Sequence, residues 1–220
     1  MAQVVSVAFL VQLQEGNTDP AAQAWLTDRL LEHERVVEAF LAAGPVFPLG
    51  FGILLADPSA LRDAVAPHIE MLSAFFAGAA GRQEWCLKFY LREDAPRRGE
   101  MAKAALTGLD YLAARRALPE RLAAREAAGR SFVESAMIGL GRRCEGMLWR
   151  EAGTAPAKGL RLLANVALLV EATKQEEMVA SVDGLLASAT NQDMELTLTG
   201  PWPLYNFRPR IELGPDAKRV

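Results

Sequence analysis

Two histidines, His33 and His68, and two cysteines, Cys86 and Cys144, are the side chains best suited to catalysis or metal binding. A catalytic histidine needs a partner within hydrogen-bond reach, and a zinc site needs closely spaced ligands. Both histidines fall within predicted helices without a recognisable triad or metal spacing, and neither cysteine has a close cysteine or histidine partner in sequence. We therefore predict no catalytic residue, no metal site and no cofactor, and we expect two reduced, largely buried thiols.

Three short motifs resemble parts of metal-binding, nucleotide-binding or catalytic sites, but each has a sufficient structural explanation. The run "EHE" at 32–34 lies on a predicted helix, where consecutive positions point in different directions, so we expect a solvated helix face. The "GFG" at 50–52 lacks the remaining glycines of a dinucleotide-binding fingerprint, and we expect its glycines to interrupt the regular backbone of a strand. The paired glutamates of "KQEEM" at 174–178 begin a helix, where carboxylates favour the positive end of the dipole. The sequence gives no positive indication of an enzyme.

The composition is that of a globular chain with no general attraction to phosphate. The 220 residues are 51% hydrophobic and 23% charged, with a net charge of −3 and a pI near 5.6. Nucleic acid is therefore a poor default partner. The apolar start "MAQVVSVAFLVQLQEG" lacks a basic region and a cleavage site and is too short to span a bilayer. We predict a cytoplasmic protein without a membrane segment.

The first eighty residues are predicted to fold in the order β-α-β-α. Period-two apolar residues predict a strand over 3–13, and the cap signal Asp19–Pro20 predicts a helix to about residue 43. "VFPLGFGILLAD" at 46–57 is read as an extended, glycine-rich strand. Asp57 and Pro58 repeat the cap signal and predict a second helix to about residue 78. Its apolar stripe comprises Leu61, Val65, Ile69, Leu72 and Phe76.

Residues 81–200 are predicted to fold in the order β-α-β-β-α-β. The predicted strands are "GRQEWCLKFYLRED", "MLWREAG", "LRLLANVALLVE" and "MELTLTG". Helical patterns cover about 108–148 and 173–187, and Pro119 is expected to kink or restart the first helix. This order is the ferredoxin-like pattern. We predict an α+β protein with an N-terminal domain over 1–80, a ferredoxin-like domain over 81–200 and a tail over 201–220.

The segment "GPWPLYNF" at 200–207 spans the start of the tail and carries Trp202, Tyr205 and Phe207 between stiffening prolines. Because disordered tails are poor in aromatic residues, we expect this segment to dock somewhere. The favoured interpretation is docking on the protein's own surface, with Gly200 ending the last strand. The alternative is that the three aromatic side chains contact a partner, since burying one ring contributes about 2 kcal/mol.

Together with four other segments, this motif resembles the gas vesicle protein family GvpF/GvpL. The other segments, in order along the chain, are "PVFPLGFG" at 45–52, "GRQEWCLKFY" at 81–90, "GLDYL" at 108–112 and "LLANVALLV" at 162–170. Leu204 and Asn206 stand where the family often has proline and serine. Leu49 and Gly50 replace its usual aliphatic–arginine pair, so a role of that arginine cannot be transferred.

The resemblance implies a cytoplasmic accessory or minor structural protein of gas vesicles, the hollow buoyancy organelles of some prokaryotes. It would act in assembly or nucleation, bind the small hydrophobic shell protein GvpA, work with other accessory proteins and carry out no catalysis. An alternative function is a small-molecule-binding regulatory or enzymatic α+β protein, which predicts a deep pocket with converging polar groups. RNA binding on the open sheet is disfavoured by the acidic pI and apolar strand faces.

Overall fold

The computed structural model describes residues 20–49, 51–92, 108–151, 159–213 and 218–219. The strand predicted over 3–13, and with it the complete β-α-β-α order, lies outside the described residues. Helices and strands are mixed, so the predicted α+β class is confirmed. The chain divides into two compact units: one comprises the described residues up to Ala80 together with those from Pro203 onward, and the other comprises Gly81–Trp202.

The first unit is mainly helical. Helix α1 spans Pro20–Leu41 and ends where the amide of Gly44, at φ +157°, donates to the carbonyl of Leu41. The end predicted near residue 43 is therefore confirmed to within a turn. The long strand predicted over 46–57 is wrong for most of its length, because ladder pairing is confined to β1, Ile53–Leu54, which pairs antiparallel with the short strand Lys218–Arg219.

The second helical segment of this unit begins as predicted. Helix α2 spans Pro58–Val65, and Oδ1 of Asp57 accepts hydrogen bonds from the amides of Ser59 and Ala60 at 2.7 and 2.9 Å. The Ser59 hydroxyl also donates to Oδ1, and this bond, followed by those from the two amides, holds the pKa of Asp57 below its usual value. A 3-10 turn over Ala66–His68 contains a proline that interrupts the α-helical ladder, and helix α3 follows over Ile69–Ala79.

The second unit is built on a four-stranded antiparallel sheet. Its elements are β2 (Arg82–Arg92), α4 (Gly108–Leu140), β3 (Gly146–Trp149), β4 (Leu160–Glu171), α5 (Gln175–Thr190) and β5 (Met194–Trp202). The order across the sheet is β3-β4-β2-β5, so β2 and β4 form its centre. The predicted element order β-α-β-β-α-β is observed. The last element, β6, is the strand Lys218–Arg219 of the first unit.

The main core lies between one face of this sheet and helices α4 and α5. Leu87 and Phe89 of β2 pair with Val166 and Ala164 of β4, so period-two residues of adjacent strands share a face. Side chains from both helices complete the cluster, including Val133, Met137, Leu140, Met178 and Val182. At about 25 cal/mol per Å² of buried apolar area, this continuous cluster is the main favourable contribution to folding of the unit.

Helix α4 continues through Pro119, so the proline does not restart the helix, and it ends at Leu140 rather than near Leu148. Met147 lies in β3, where it pairs with Leu168. The helical hydrogen bonds end with that from Gly141 to Met137, and bonding to β4 begins with that from Glu145 to Leu169. An added Cβ at Gly129 would lie 2.6 Å from Cδ1 of Leu163, so this glycine permits close approach of the helix to the sheet.

The end of β5 also differs from the sequence interpretation. Gly200 does not end the strand, which continues to Trp202 opposite Glu84, with a register shift between Glu84 and Cys86. Gly200 has φ +142°, and a Cβ there would lie 3.0 Å from the carbonyl oxygen of Glu84. A residue with a side chain would be strained and crowded here, so the irregular pairing requires glycine.

Candidate functional site

The three residues of the "EHE" run contact three different partners. Glu32 forms an ion pair with Arg29 at 2.5 Å. The ring of His33 packs edge-on against Phe51, with centroids 5.7 Å apart. Glu34 accepts a hydrogen bond from the hydroxyl of Tyr205. This divergence follows from the helical twist of about 100° per residue. The expected solvated face is correct for Glu32 but wrong for His33 and Glu34, which are half-buried.

The remaining candidate residues are also engaged in the fold. Nε2 of His68 lies 2.8 Å from the backbone oxygen of Glu212. The thiol of Cys86 donates to Oδ1 of Asn165 at 3.2 Å, and burial raises the pKa of Cys86. Burial also raises the pKa of Cys144, to about 11, so neither thiol is an activated nucleophile. Within the described ranges, no three histidine, cysteine, aspartate or glutamate residues cluster to hold a metal ion.

The three aromatic residues of the tail do not form one strip. Trp202 is the last residue of β5, and its indole N–H donates to Oγ1 of Thr199 at 3.1 Å. Tyr205 belongs to the other unit and donates its hydroxyl proton to Oε1 of Glu34 on α1 at 3.0 Å. Phe207 is half-buried. The chain thus passes from one unit to the other between the first two aromatic residues.

Two further contacts join the segment after Trp202 to the first unit. The guanidinium of Arg208 lies over the ring of Phe47, 5.3 Å from its centroid, in a cation–π arrangement. The backbone of Glu212 provides the acceptor for His68. Pro203 and Leu204 are buried. The residues after Trp202 therefore pack on α1, on the segment before β1 and on the turn between α2 and α3.

An apolar groove of about 720 Å³ lies within the first unit. Side chains of α2 and α3 line it together with the segment before β1 and Ile211 of the tail; among them are Leu49, Leu61, Val65, Phe76 and Phe47. Arg62 is the single charged side chain among the lining residues described. Ile69 lines the groove with 60% of its surface exposed. We call this feature the α2–α3 groove.

The α2–α3 groove is a candidate site that sequence reasoning missed. The 3.6-residue period predicts that Leu61, Val65, Ile69, Leu72 and Phe76 lie on one face of a single helix, whereas the structure divides them between α2 and α3, with the 3-10 turn over Ala66–His68 between the two helices. Of these residues only Leu72 is buried, whereas Leu61, Ile69 and Phe76 are exposed. Periodicity identifies an apolar face, but it does not reveal whether the same chain covers that face.

A smaller groove of about 370 Å³ lies between α4 and α5 in the second unit. Its polar side chains are already engaged: Ser135 donates to the carbonyl of Ser131, Ser181 donates to that of Glu177, and Arg143 pairs with the Glu177 carboxylate at 3.0 Å. These contacts lie within or between the two helices. They satisfy the groove's polar groups rather than directing them at a ligand.

The fold and the α2–α3 groove define the class of this protein: it is an α+β protein with an exposed apolar surface on two helices. In the described part of the chain, no helix is both long enough and apolar enough to cross a bilayer. The family model described as "Gas vesicle synthesis protein GvpL/GvpF" matches residues 2–209. The chain therefore belongs to the GvpL/GvpF family, and the resemblance found in the five sequence segments is confirmed.

Individual relatives agree with this assignment. The chain is 29% identical over 198 residues to "Gas vesicle protein L" of Streptomyces sp. (strain CB03234), covering 83% of this chain and 70% of the relative. The crystal structure of GvpF from Anabaena sp. PCC7120 superposes with a TM-score of 0.60 at 17% identity, covering 83% of this chain and 75% of that one. GvpF from Microcystis aeruginosa gives a TM-score of 0.55 at 17% identity, with coverages of 81% and 76%. These structures support the fold.

Proposed function

We propose that this protein is an accessory or minor structural protein that acts in gas vesicle assembly or nucleation and binds the small hydrophobic shell protein GvpA. The match to the GvpL/GvpF family over residues 2–209 carries the proposal. A gas vesicle role places the protein in the cytoplasm, at the vesicle, with GvpA and other accessory proteins as its partners. Catalysis forms no part of this function.

The exposed apolar surface of the first unit supports binding of a hydrophobic subunit. Among the described residues of this unit, nine large hydrophobic side chains are exposed: Leu30, Leu31, Val36, Phe40, Phe51, Leu61, Ile69, Met71 and Phe76. Phe40 alone is 66% exposed. Isolated exposed apolar residues are common, but concentration on a small helical unit is typical of a protein-interaction surface. A factor that holds an aggregation-prone subunit needs such a surface.

The two units suggest a division of roles. We infer that residues 81–202 form a ferredoxin-like domain whose continuous core makes it the rigid scaffold. The first unit, completed by residues from Pro203 onward, presents the apolar surface. In this assignment Tyr205 closes the first unit through Glu34, and Trp202 completes β5, so neither aromatic residue is a principal contact of the shell protein.

Deletion and co-purification together test the proposed function. A vesicle-forming strain without this gene should make few or no vesicles, and the full-length tagged protein should retain co-expressed GvpA. Normal vesicles in the deletion strain would refute the assembly role. Failure to retain GvpA, with the protein folded by circular dichroism, would refute the proposed binding.

A further inference from the structure

We draw no further inference here: the strongest candidate, the apolar α2–α3 groove of the first unit with Ile69 exposed along it, carries none because nothing in the structure shows what covers this face.

Discussion

The hydrogen bond from Tyr205 to Glu34 offers a direct test of how the tail is held. The donor and acceptor oxygens are 3.0 Å apart although the residues are 171 positions apart in sequence. Tyr205→Phe removes the hydroxyl and leaves the ring in place. We expect this change to destabilise the first unit and to leave the second unit's sheet unaffected, because Glu34 lies on α1.

The expected magnitude is about 1 kcal/mol. A hydrogen bond contributes a net 0.5–1.5 kcal/mol, and one to a charged acceptor roughly 1.5–3 kcal/mol. Both side chains are half-buried rather than fully buried, so solvent competes for the carboxylate and weakens the bond. We therefore expect a contribution of about 1 kcal/mol, within the range for ordinary hydrogen bonds. A loss of about 1 kcal/mol increases the opening equilibrium of the unit about fivefold.

Native-state hydrogen exchange can measure this effect separately in each unit. Amides of α1 should lose about 1 kcal/mol of protection in Tyr205→Phe, whereas those of β2 and β4 should keep theirs. Glu34→Gln and the double variant complete a cycle whose coupling energy should be about 0.5–1 kcal/mol, and Glu38→Gln, exposed on the same helix, serves as control. Additive effects of Tyr205→Phe and Glu34→Gln, within about 0.3 kcal/mol, would refute the contact.

Three further predictions concern the second unit. Gly200→Ala should lower the free energy of unfolding, measured in urea, by about 1–3 kcal/mol, because of the positive φ and the nearby carbonyl of Glu84. Gly184→Ala, in open space on α5, should raise it by about 0.5–1 kcal/mol. The opposite order of stabilities would contradict this reasoning. Two arginines donate to Glu126 and hold its pKa below the ordinary 4.5. Its contribution to stability is therefore complete above pH 4.5 and lost as pH falls through the lowered pKa, so Glu126→Gln should flatten the acid limb of stability against pH. With a pKa of about 11, about one Cys144 thiol in a thousand is ionised at pH 8. A disulfide reagent should therefore label Cys144 far more slowly in the native protein than in the unfolded protein. Equal labelling rates would contradict the burial of this thiol.

Much of the second unit could be predicted from sequence because its signals are local. Period-two alternation located β2, β4 and β5, since each strand buries one face against the same pair of helices. Element ends were less accurate. Helix α4 stops at Leu140, and after a turn the chain pairs with β4 from Glu145 onward. This pairing is a long-range contact, which a local pattern does not contain.

The candidate site was harder to predict because exposure is not a local property. The residues that later proved to line the α2–α3 groove were recognised as one apolar stripe, and such a stripe is usually covered by the rest of the fold. Only the tertiary structure shows Ile69 and Phe76 exposed beside Arg62. The family, by contrast, was visible in five short segments, because each retains its residue types in order along the chain.

By itself, the sequence determined the α+β class, the order of elements from Arg82 to Trp202 and membership in the GvpL/GvpF family, because these depend on residue types at short spacing. Only the tertiary structure decided that the tail divides between two units, with Trp202 paired in a strand and Tyr205 bonded to Glu34. It also decided which apolar face stays open. Both outcomes depend on residues far apart in sequence, and their proximity is produced by the packing of the whole chain.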